Sequence, residues 1–131
     1  NWWLSPVAGL FAYQGMFNNA PLREFMEEQR SGYSMLYRNI VIQTMNADSG
    51  MLQWFNAYNT EFQDWAKAAF SSTCIPLVFP PFNWEGMGTY VDSWHVQNAN
   101  VISAVQQCRG LGFDDANITA DVLLLGTMRD F

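Results

Sequence analysis

Few residues in this sequence could do chemistry, and Asp92 is the best placed of them. It closes the run Thr89-Tyr90-Val91-Asp92, which reads as a short strand ending on a carboxylate. In open α/β sheets, ligands sit beyond the carboxyl ends of the strands. Rigid backbone there can hold an acid beside a nucleophile. A strand-end Asp that only caps the next turn would look the same in sequence. Cys74, His95 and Asp92 supply the parts of a thiol nucleophile, a base and an orienting acid. Their spacing matches no known arrangement, and His95 reads equally well as a polar residue just past a strand.

Other patterns carry less. There is one His, and neither C-x-x-C nor H-x-x-x-H occurs, which points away from a metal site. Asp114-Asp115 follows Gly112 and reads as a solvated loop. Asn117-Ile118-Thr119 matches the glycosylation acceptor pattern, which is short enough to arise by chance. Gly86-x-Gly88 lacks the third glycine and the helix start of a phosphate loop. No cofactor is implied.

The elements that must position Asp92 follow from periodicity. Pro21 to Gln29 reads as a helix: Pro21 suits the first turn, Leu22, Phe25 and Met26 share a face, and Gly32 stops it. Asn39 to Met45 alternates, with Ile40, Ile42 and Thr44 on one side and Val41 and Met45 on the other, as in a strand covered on both faces. Asp48-Ser49-Gly50 is a turn, and Met51 to Phe55 reads as its hairpin partner. Thr60-Glu61-Phe62-Gln63 fits a capping box before an amphipathic helix carrying Phe62, Trp65, Ala66, Ala69 and Phe70. Prolines 76, 80 and 81 bar a long helix or a central strand from Ser71 to Trp84. Asn98 or Asn100 can cap a helix with the stripe Val101, Ala104, Val105 and Cys108, ended by Gly110 and Gly112. Val122 to Leu125 reads as a strand buried on both faces. Strands alternating with helices predict an α/β sheet with right-handed crossovers.

Ser71-Ser72-Thr73-Cys74-Ile75-Pro76-Leu77-Val78-Phe79-Pro80-Pro81, followed by Gly88-Thr89-Tyr90-Val91-Asp92 and Asn98, resembles the patatin-like phospholipase family. The family pattern there is A-S-x-A-I-P-x-x-F-P-P, then Y-V-D-G-G and a nearby N-x-P. Gly15 to Leu22, Ile40 to Gly50 and Asp121 to Gly126 resemble further family segments in the same order. The resemblance implies a three-layer α/β/α sandwich and a lipid acyl ester hydrolase with a Ser–Asp dyad. In it Asp92 would be the general base, and lipid or acyl ester the substrate. Trp84, Trp94, Phe79 and Phe82 would line the acyl pocket or face a bilayer, or else pack in the core. The family's two glycines after the aspartate are Ser93 and Trp94 here, and no G-x-S-x-G occurs. Residues 1–131 are therefore expected to be the C-terminal portion of one patatin-like domain, with the serine elbow in an N-terminal half outside them. The alternative is a structural or accessory subunit of the same family that has lost the chemistry. For that form, Trp94 is expected to pack across Asp92.

Composition narrows the partners. Half of the 131 residues are hydrophobic and 16% are aromatic, which excludes intrinsic disorder. Only 14% are charged, against roughly 25% in a usual globular domain. Part of the surface is therefore expected to be covered, by the missing half or another protein. Six basic residues against 12 acidic ones, spread singly, argue against nucleic acid and against docking on an anionic membrane. Cys74 and Cys108 read as small buried thiols rather than a disulfide framework. Residues 1–22 are uncharged but broken by Pro6, Gln14, Asn18 and Asn19, so no transmembrane segment is expected. The compartment is left open.

Overall fold

The computed structural model describes residues 14–97 and 99–123. They fall into two compact units, divided between Val96 and Gln97.

The first unit is built on two hairpins. Strand β1 (Val41–Asn46) runs into β2 (Met51–Asn56), in register from Val41 opposite Asn56 to Asn46 opposite Met51. The connecting turn is made by Asn46, whose Oδ1 accepts from the Asp48 and Ser49 backbone N–H groups, both at 3.0 Å. Strand β3 (Phe82–Trp84) turns through three residues into β4 (Gly88–Val91), with Trp84 opposite Gly88. The hairpins join where β4 lies against β1, Met45 opposite Val91 and Asn46 opposite Tyr90. The sheet order is β2-β1-β4-β3, and every neighbouring pair is antiparallel.

This corrects the expected three-layer α/β/α sandwich. Parallel neighbours need crossovers of a dozen or more residues, and those crossovers lay helices over both faces. Here two tight hairpins make the sheet, so no crossover helix is demanded. Asp92 does leave the end of a strand, but of an antiparallel one. The expected final strand is not formed by Val122 and Leu123, which have no regular structure; Leu124 and Leu125 lie outside the described residues.

Helix α1 (Ala20–Ser31) begins with Pro21 in its first turn and ends at Gly32. Helix α2 (Trp65–Ser71) is led by a 3-10 turn, Phe62–Asp64. The expected capping box does not form: Thr60 Oγ1 bonds to Asn59 Oδ1 instead. The core joins both hairpins to α2 through Phe55, Ala68, Phe70, Cys74, Phe82, Trp84 and Tyr90, with Leu22, Met26 and Ile42 packed against it. Its aromatic rings touch in series. Phe55 lies 5.2 Å from Trp84, Trp84 lies 6.0 Å from Phe82, and Phe82 lies 5.2 Å from Phe70. Such pairs add about 0.5–1.5 kcal/mol each beyond the area they bury.

Two glycines sit where a side chain would collide. A Cβ on Gly15 would lie 2.4 Å from the Pro80 nitrogen. That close approach lets the Met16 N–H reach the Leu77 carbonyl at 2.9 Å. Gly88 has φ +117 and would place a Cβ 2.8 Å from Asp48 Oδ2. The same oxygen accepts the Thr89 N–H at 2.7 Å, pinning the first hairpin turn to β4.

The second unit holds helix α3 (Val101–Gly110) and a 3-10 turn, Asp115–Asn117. Asn100 is the cap, its Oδ1 accepting the Ser103 N–H at 3.2 Å. Asn98, the other candidate cap, lies outside the described residues. Arg109 clasps Asp115 with two bonds of 2.7 Å, so one half of the Asp114-Asp115 pair is already occupied by a cation of the chain itself.

Candidate active site

Asp92 is the first residue past β4, and its backbone fixes it from both sides. Its N–H donates to the Cys74 carbonyl at 2.9 Å. Its Oδ1 accepts the Trp94 N–H at 2.9 Å, closing a short Asx turn. Val91, the residue before it, is held as well. The buried Thr44 hydroxyl in the middle of β1 donates to the Val91 carbonyl at 2.7 Å.

The carboxylate is half-buried. Burial pushes its pKa above the ordinary carboxylate value. The Trp94 N–H, the nearby His95 and the Ser93 N–H pull the other way without cancelling it. A carboxylate so placed is a stronger base than one in open water.

Cys74 is fully buried beneath this turn. Burial, reinforced by the charge of Asp92, pushes its thiol up to about 12. The Asn19 amide, 3.5 Å from the sulfur, opposes this only in part. The thiol itself points at the Phe70 carbonyl, 3.4 Å away. A thiol that stays protonated is not a nucleophile. Of the candidate trio, Asp92 neighbours both Cys74 and His95, but the buried thiol makes no thiolate site. His95 is exposed, with its ring 6.1 Å from that of Trp94.

The two residues after Asp92 take different paths. Ser93 is buried, and its hydroxyl accepts a 3.0 Å bond from the Gln43 amide. Gln43 Oε1 in turn accepts the Trp54 indole N–H at 3.1 Å. Trp94 is 53% exposed, so its ring does not close over the carboxylate as expected for a dead site. Neither residue adopts a left-handed backbone; among the described residues only Gln14 and Leu77 do so without being glycine. The turn after Asp92 is thus made by Ser93 and Trp94 without a left-handed residue.

The aromatic candidates separate. Trp84 and Phe82, at 7% and 6% exposed, are core residues, their outer edges bordering a polar hollow with Arg23, Lys67, Asn83 and Glu85. Phe79 is half-buried. Sequence reasoning missed Gln43, Thr44, Ser93 and Asn19, which together support the Asp92 turn. The visible signal was a Gln and a Thr, side by side, inside an otherwise apolar strand.

Among the described residues, no cluster of three or more His, Cys, Asp or Glu is placed to hold a metal ion. Among them too, no helix is long and apolar enough to cross a membrane. Cys74 and Cys108 are both free. The chain matches no protein-family model, no curated protein and no solved structure.

Proposed function

We propose that Asp92 is the general base of a lipid acyl ester hydrolase, acting on a serine supplied from outside these 131 residues. One observation carries this: a half-buried carboxylate, raised in basicity by burial, is fixed at a strand end by two backbone hydrogen bonds. The motif resemblance assigns the same residue the same role. A serine hydroxyl is a weak nucleophile until an adjacent base takes its proton. In the proposed reaction the hydroxyl attacks the acyl carbonyl while Asp92 accepts the proton. Asp92 then returns it to the departing alcohol, and water releases the acyl group by the same exchange. With Oδ1 bonded to Trp94, Oδ2 is the oxygen for that work. The test is labelling with a fluorophosphonate in the polypeptide that carries these residues. Labelling of a serine, slowed by Asp92→Asn, supports the role.

A second possibility is an accessory subunit of the same lineage without chemistry. It is favoured by one feature: the hydrogen bonds to Asp92 come from backbone N–H groups, and the nearest thiol is held protonated. Absence of any fluorophosphonate-reactive serine in that polypeptide would establish it.

A further inference from the structure

We infer that the first unit carries a binding groove for a single-chain fatty carboxylate, separate from Asp92 and independent of the hydrolase proposal. Helices α1 and α2 and the Tyr33–Ile40 segment border an open groove of about 400 Å3. This lies within the range of ligand pockets, roughly 300–1,000 Å3. Its walls are Phe25, Met26, Leu36, Ile40, Phe62 and Trp65, among other apolar side chains. Several of them stay open to solvent, including Phe25 and Ile40. Contiguous exposed apolar surface of this kind marks a binding site in soluble proteins.

The charge pattern selects the ligand. The chain has 12 acidic residues and 6 basic ones, yet no acid lines the groove. Three described cations are neutralised, as Arg23–Glu27, Lys67–Asp64 and Arg109–Asp115. The two without a carboxylate partner among the described residues are Arg30 and Arg38, and Arg30 lines this groove while Arg38 lines a separate hollow beside it. The Arg30 guanidinium lies 5.9 Å from the Phe62 ring centroid. An apolar trough with unsatisfied guanidinium at its edge fits one hydrocarbon chain and one carboxylate. Arg is the side chain that meets a carboxylate with two parallel hydrogen bonds.

Calorimetric titration of the purified polypeptide that carries these residues with decanoate and with decanol, both below micelle formation, tests this. Decanoate should bind at one site, at least about tenfold more tightly than decanol, the equivalent of one charge-assisted contact. Arg30→Gln should weaken decanoate to the level of decanol and leave decanol unchanged, which also reports an intact groove. Ala69→Trp, which fills the trough, should abolish both. The inference is overturned if neither ligand saturates, if decanol binds as tightly as decanoate, or if Arg30→Gln weakens both alike. None of these outcomes depends on a serine nucleophile, so failure here leaves the Asp92 proposal standing, and the reverse.

Discussion

Asp92 and Cys74 are tied back to back. The Asp92 N–H donates to the Cys74 carbonyl at 2.9 Å, and the charge of Asp92 raises the pKa of the buried thiol. Burial keeps the sulfur inert, and the residue that could act as a base adds to the effect. With a pKa pushed up to about 12, Cys74 should resist alkylation in the folded chain at pH 8. Iodoacetamide followed by mass spectrometry should find Cys74 unmodified until denaturant is added. Rapid native labelling of Cys74 would contradict the burial described here.

The pH dependence of stability has a definite sign at Asp92. Burial raises its folded-state pKa above the ordinary 3.8. The folded chain then binds this proton more tightly than the unfolded chain does. The stability it contributes is fully present below the unfolded value and is lost as pH rises through the folded value. Asparagine never ionises and still accepts the Trp94 N–H. Asp92→Asn should therefore gain stability relative to the parent as pH rises from about 3 to 7, with solvent screening of the half-exposed group keeping the gain small. Urea unfolding of both proteins across that range gives the difference directly. A difference that falls with pH would contradict the assigned direction.

The aromatic residues should divide into core and site. Phe55 is 2% exposed and packs on Trp84 and Tyr90. Phe55→Ala should cost about 3–5 kcal/mol. Trp94→Ala, at a half-exposed ring, should fall within about 0.5 kcal/mol of the parent. Equal losses from the two in urea unfolding would refute the placement of Trp94.

Gly88 tests the junction of the hairpins. Alanine there meets both the left-handed φ and the Asp48 carboxylate. Gly88→Ala should cost about 1–3 kcal/mol. Adding Asp48→Ala relieves the collision but loses the bond to the Thr89 N–H, so the double variant should recover only part. Full tolerance of Gly88→Ala would show that the turn is free to move.

Local structure was largely legible in the sequence, and pairing was not. The β1–β2 hairpin, the Asn100 cap and the strand that ends before Asp92 each have a local cause: alternation, an Asx turn or a short polar side chain. Which strands become neighbours depends on residues far apart. Met45 meets Val91 across 46 positions, and no local pattern records that. Strand β3 was hidden by the two prolines before it, although Phe82 and Trp84 turned inward around exposed Asn83 already carry the period of a strand. The same alternation explains why Phe82 and Trp84 are core residues. Asp92 itself was legible from its place in the chain. Its supports were not, because Thr44, Gln43 and Asn19 reach it only through the folded sheet and turns.

The most direct measurement of the central claim is the rate at which a fluorophosphonate labels the polypeptide carrying these residues, followed from pH 4 to 9 for the parent and for Asp92→Asn. Loss of a general base costs about 10²–10⁴-fold. The parent should label at a serine, with a rate that rises as Asp92 ionises at a pH above that of an ordinary carboxylate. Asp92→Asn should label at least about a hundredfold more slowly and lose that rise. Labelling at the parent rate with Asp92 replaced, or no labelled serine at all, would contradict the assignment of Asp92 as the base.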